Sequence, residues 1–283
     1  MAFPQIAAFA RMANTNDFMP KRAIAGNATQ LSRAMHDIQY DEVHDEIVIA
    51  NVFAQAILTY RGTADGEEPP IRVLQGPRTQ LQSTDFGMDV DPVHDELFVA
   101  EHDAITVFPR TAHGDVSPIR IIRGPKTLFN REARPRAMAV DPVNNVLVVS
   151  SNNRILIFDR TAHGNVAPLR VIEGPNTGIR SGGSGISHLR LYPPKGWIVT
   201  VIGGVGGEGG DGERSGERSG GGGGLRGIAA WSVHDNGNVP PRWLLSNTQI
   251  QGGRPTIALN PNAKEVLVGS GQAIDTYYFP EIF

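Results

Sequence analysis

Three histidines, His36, His102 and His188, stand apart from the other five in this sequence because none recurs at an equivalent place in its repeats. Neutral imidazole suits Zn, Cu, Fe and Ni, and an imidazole beside a carboxylate can act as a general base. Carboxylates are close in sequence to two of them. Asp37 follows His36, and Glu101 and Asp103 flank His102. Asp85, Arg136, Arg254 and Asn152 are further polar departures from the repeat. Two chemistries follow as expectations. The ten residues could line a polar pocket for a small molecule, a glycan or a protein side chain, or His36, His102 and His188 could hold a divalent metal ion as the one implied cofactor.

Other chemistries are excluded. The chain has no cysteine, so it has no disulfide, thiolate metal site or cysteine nucleophile. A formal net charge of −3 gives no strong nucleic-acid signal. No phosphate-binding Gly-Lys motif, dinucleotide fingerprint or Ser–His–Asp arrangement with local motif support is found. No apolar run reaches the length of a transmembrane helix. The first residues lack the basic and apolar regions of a signal peptide. A native start would then imply the cytoplasm, and a trimmed mature chain the periplasm or secretion.

The elements that must position these residues are repeats. Glycine (33) and proline (20) are abundant, which favours many turns. Residues 57–79, 105–127 and 155–177 are copies of one segment, and the arginines Arg61, Arg110 and Arg160 set a period of 49 and then 50 residues. Weaker copies lie at 6–30 and 228–249. A Pro-x-Arg tripeptide marks all five, at Arg22, Arg72, Arg120, Arg170 and Arg242. Two short apolar runs precede the segment, as in 137–150, so each repeat reads as four strands separated by Gly, Asn, Asp and Pro turns. Four-stranded units at this period predict an all-β β-propeller, because a lone sheet cannot bury both faces and radial packing can.

The expected architecture is a single domain over 1–283, with about five four-stranded blades closed by pairing of the N- and C-terminal segments. Six blades with one incomplete is the alternative, since 6–10 and 274–279 both look like third strands. Residues 150–160, SSNNRILIFDR, resemble NHL-repeat propellers, in which a polar Asn-rich corner precedes an R-I-x-x-F strand. That resemblance implies either a binding platform or an enzyme of the gluconolactonase-like relatives, and it assigns no functional residue.

Antiparallel connectivity sorts the loops onto two faces. His44, His94, His113, His163 and His234 fall in strand one–two turns or strand three–four loops, on the far face. His36, His102, His188 and the other departures fall at strand-one starts or strand-two ends, on the face at the channel mouth. The glycine-rich insert 203–224 lies between strands two and three of the fourth repeat, hence on the mouth face, and reads as a flexible polar loop. The sequence therefore points to a ligand- or protein-binding propeller module using the mouth face. The alternative is a metal-assisted hydrolase or lyase, lactonase-like, at the same place.

Overall fold

The computed structural model describes residues 4–11, 19–82, 87–179, 186–202, 226–246, 250, 255–269 and 273–283. The chain divides into two compact units, Met1–Arg123 and Gly124–Phe283. The insert at 203–224 lies outside the described residues, as do Asp85 and Arg254.

In the first unit, β1 (Gln5–Ala8) pairs with β2 (Arg22–Ala25). A second sheet holds β3 (Met35–Asp41), β4 (Glu46–Asn51), β5 (Ala56–Arg61) and β6 (Arg72–Leu74). A third holds β7 (Met88–Asp91), β8 (Glu96–Ala100), β9 (Ala104–Pro109) and β10 (Arg120–Arg123). In the second unit the fourth sheet holds β11 (Pro135–Asp141), β12 (Val146–Ser151), β13 (Arg154–Asp159) and β14 (Arg170–Ile172). The fifth holds β15 (Leu189–Tyr192), β16 (Trp197–Ile202), β17 (Gly227–Ser232) and β18 (Trp243–Ser246). The sixth has β19 (Thr256–Asn260), β20 (Glu265–Gly269) and β21 (Ile274–Tyr278).

Every ladder is antiparallel and follows chain order, which is the blade pattern of the all-β propeller class read from the sequence. Four blades are complete. The strand types of a fifth are divided between β1–β2 and β19–β21, with the third-strand type present twice, in β1 and β21. The sequence reading places β2 as a missing fourth strand; in the structure its ladder runs to β1, from Gln5↔Ala25 to Ala8↔Arg22. Among the described residues the only helices are 3₁₀ turns, and none is long and apolar enough to cross a membrane.

The strands form where the sequence alternates short apolar runs with turn residues. Middle strands such as Ile155–Phe158 are apolar at every position because both of their faces are covered. Within the first unit, Val48, Ile57 and Leu74 of the second sheet pack on Met88, Leu97 and Phe108 of the third. Within the second unit, Val148, Ile157 and Ile172 pack on Ile198, Ala229 and Trp231.

Turns recur with the same chemistry. Asp41, Asp91 and Asp141 each accept the N–H groups two and three residues on, closing the strand one–two turn. After the fourth strand comes Gly-Pro-x-Thr, as in Gly124–Thr127. The Thr127 hydroxyl donates to the Gly124 carbonyl at 2.6 Å and accepts the Phe129 N–H at 3.2 Å. Thr79, Thr177 and Thr29 are placed in the same way. The strand three–four loop that follows then reaches back to this turn. Asp115 accepts the Arg78 N–H at 2.6 Å, Asn165 that of Lys126 at 2.8 Å, and Asn238 that of Asn176 at 2.8 Å. Such staples tie each of these loops to that turn.

Candidate functional site

Asp37 sits at a register shift in the β3–β4 ladder, between Met35 and Ile38, which turns its side chain toward the next sheet. One carboxylate oxygen accepts the Ile38 N–H at 2.9 Å and the other accepts the Met88 N–H at 2.9 Å. Gln39 donates to the Met88 carbonyl at 2.8 Å. Asp37 therefore ties the first strand of one blade to the first strand of the next. In the second unit the neutral counterpart is Ser150, which accepts the Ala137 N–H at 3.0 Å and donates to the Ile186 carbonyl at 3.1 Å. His36, beside Asp37, is exposed on β3.

The last residue of strand two, or the one just beyond it, anchors the loop that enters its sheet. Asn51 accepts the Ser32 N–H at 3.0 Å and donates to the Gln30 carbonyl at 2.9 Å. Glu101, buried, accepts the Gln82 N–H at 2.9 Å. Ser151 donates to the Ala133 carbonyl at 3.0 Å. Three different side chains perform one task. Around these anchors the exposed residues differ from repeat to repeat. His102 is half-buried and Asp103 exposed, with Arg123 donating to Asp103 at 3.2 Å. In the second unit Arg136 is half-buried on β11, and Asn152 is exposed in the β12–β13 turn at φ 56, a conformation Asn tolerates well. His188 is half-buried ahead of β15, and its carbonyl accepts the Thr200 hydroxyl at 2.6 Å.

The structure thus sorts the candidate set. In the first unit Asp37 and Glu101 direct their carboxylates at backbone amides, while His36 is exposed on β3, His102 is half-buried and Asp103 accepts from Arg123. In the second unit Arg136 and His188 are half-buried and Asn152 is exposed. Among the described residues no group of three or more His, Asp or Glu is arranged to hold a metal ion.

One charged arrangement was not singled out from the sequence. On the far side of the first unit, Glu46 accepts from Arg72 and from Arg110, the latter at 2.7 Å. Arg110 also donates to Asp95 at 2.8 Å, and that hydrogen bond holds the Asp95 carboxyl below the usual range. His44 Nδ1 lies 2.7 Å from the buried Asp41, and His94 Nδ1 lies 2.8 Å from Asp91. An imidazole oriented by a buried carboxylate is the base half of many hydrolytic sites. Here Asn144 makes the same bond to Asp141 at 2.7 Å. Since an amide serves equally, the position requires the hydrogen bond and not acid–base chemistry. The Asp-x-x-His spacing was the available signal. It reads as a turn motif, and a turn is what it builds.

Neither a family model nor a curated protein matches the sequence. Solved structures resemble it in fold. A protein described as a 6-phosphogluconolactonase of Bacteroides uniformis aligns over 98% of this chain and 74% of its own, with a TM-score of 0.57 and 16% identity. A chain of the mitotic checkpoint complex aligns over 92% of this chain and 67% of its own, with a TM-score of 0.56 and 11% identity. At these identities the likeness shows the fold alone. The resemblance to NHL-repeat propellers rests on residues 150–160, which carry it in the sequence.

Proposed function

We propose that the chain is a binding module that presents its mouth-face loops to a small molecule, a glycan or a protein. The observation that carries this reading is the anchor position. Asn51, Glu101 and Ser151 fix their loops through side chain–backbone hydrogen bonds, while the neighbouring exposed residues change from repeat to repeat. Constant support under variable side chains is the physical requirement of a recognition surface, because loops ordered in advance lose less entropy on binding. Propeller folds host both enzymes and binding proteins, so the fold itself does not choose.

A lactonase-like hydrolase is the second reading. The half-buried imidazole of His102 favours it, together with the fold likeness to the protein described as a 6-phosphogluconolactonase. Ligand-induced thermal shifts of the full chain across sugars, lactones, nucleotides and divalent metals test the first reading. At least one class should raise Tm, and His102→Ala or Arg136→Ala should abolish that shift when each variant is compared with its own ligand-free Tm. Hydrolysis of a lactone in a pH-stat, lost in His102→Ala, would replace the first reading with the second.

A further inference from the structure

We propose that Arg170 is a binding site for a carboxylate, on the far side of the fourth sheet where it meets the fifth. The Pro-x-Arg arginine of each of the other four repeats has an acceptor inside its own unit. Arg22 donates to the Gly62 carbonyl, Arg72 to Glu46, Arg120 to Glu96 and Arg242 to Asp235. Among the described residues no such acceptor meets Arg170, which is half-buried and whose Nη1 is shut off from solvent without a hydrogen-bond partner.

The register shows what differs at this joint. Asp141↔Val146 takes the place of Asp41↔Glu46 and Asp91↔Glu96, so Val146 stands where strand two opens with glutamate in the second and third sheets. Arg170↔Ile157 takes the place of Arg72↔Thr59 and Arg120↔Val107, so the arginine keeps its position. Two further charges around Glu46 have apolar counterparts here. The Arg110 N–H bonds the Asp95 carbonyl, and the Val233 N–H bonds the Gly196 carbonyl in the same way. Val233 thus stands for Arg110, and Gly196 for Asp95. Between the second and third sheets, Arg72 and Arg110 are balanced by Glu46 and Asp95. Between the fourth and fifth, both acids and one arginine are replaced by Val146, Gly196 and Val233, and Arg170 keeps its charge.

This joint lies within one unit. Val146, Val148, Ile157 and Ile172 pack on Ile198 and Trp231 of the fifth sheet and on Val233. Asp159, paired with Val146 in the ladder, is the acid nearest in register, and its Oδ1 accepts the Thr161 N–H at 2.8 Å and the Thr161 hydroxyl at 2.5 Å. A half-buried guanidinium without an acceptor is costly, and an acceptor supplied from outside recovers that cost. The other repeats name the acceptor. Arg120 grips Glu96 with Nη1 and Nη2 on separate oxygens, the fork geometry that suits a carboxylate. The site is separate from the mouth-face loops, and its occupancy does not depend on the function proposed for them.

Arginine Nε–Hε resonances of the full chain are followed by NMR, Arg170 being assigned by its loss in Arg170→Lys. The probes are sodium propionate and the peptide acetyl-Gly-Glu-Gly-amide, each against sodium chloride at the same ionic strength. A saturable shift at Arg170 is expected, with Arg72 and Arg120 unmoved. Tighter binding of the peptide assigns the carboxylate to a polypeptide side chain, and equal or tighter binding of propionate assigns it to a free acid. Val146→Glu supplies the acid in place and should weaken both probes about tenfold or more. Asp159→Asn should leave both affinities unchanged, and it decides the matter if Val146→Glu does not fold. The proposal is overturned if neither probe shifts Arg170, if chloride shifts it equally, or if a folded Val146→Glu chain binds undiminished. It is also overturned if Asp159→Asn tightens binding about tenfold, because Asp159 is then the partner of Arg170 in solution.

Discussion

Asp37 and Glu101 read in the sequence as pocket carboxylates, and the structure gives each a backbone amide to hold. Asp37 bonds a residue in the next sheet, Met88, 51 positions away. Nothing local encodes such a contact, so residue type and spacing alone could not assign it. The histidines divide differently. The far-face set was legible as turn chemistry because it recurs, and His44 and His94 do close strand one–two turns. His44→Asn should therefore be tolerated, since Asn144 already plays that part; the loss expected in urea unfolding is below about 0.5 kcal/mol. Glu101→Ala strands the Gln82 N–H and should cost about 1–3 kcal/mol by the same measurement. The Asp95 carboxyl is held low by Arg110, so the stability it adds is present above the ordinary Asp pKa. That contribution is lost as the pH falls through the lowered folded value. A carbon-detected NMR titration should find the Asp95 midpoint below that of an unstructured aspartate, and Arg110→Gln should raise it.

At the scale of elements, strand order was readable in the four complete sheets. Pro-x-Arg marks a fourth strand because proline is tolerated at the strand start and the arginine has a glutamate to meet, as Arg120 meets Glu96. The Asn27-Ala28-Thr29 triplet belongs to the Gly-x-x-Thr turn of the first repeat, with Thr29 buried and bonded to Gly26. The turn predicts its own sensitivities. Gly124 has φ 130, and a Cβ there would lie 2.5 Å from Asn165 Oδ1. Gly124→Ala should lower Tm through both backbone strain and the displaced staple. Thr127→Val removes one donor and one acceptor at constant shape and should cost about 1–3 kcal/mol in chemical unfolding. If Thr127→Val were neutral, the turn would owe its shape to glycine and proline alone.

At the scale of the whole molecule, the repeat specifies nearest-neighbour ties. Each staple joins a strand three–four loop to the turn that precedes its sheet in the chain, and stability in such arrays is close to a sum of local terms. Asn238→Ala should accordingly speed amide exchange at Asn176 and leave β12 protected, which hydrogen exchange resolves residue by residue. What the repeat did not make legible are the places where it changes, the mouth-face residues and the surroundings of Arg170, because a departure from a pattern names no partner.

The staples also impose an order in time. Asp115 follows Arg78 by 37 residues and Asn165 follows Lys126 by 39, while Asn238 follows Asn176 by 62, the glycine-rich stretch lying between. During synthesis at roughly 5–20 residues per second, a finished sheet waits seconds for the residue that locks it. The fourth sheet waits longest, so on the ribosome it is the one left loose, and a chaperone or a protease meets the nascent chain there.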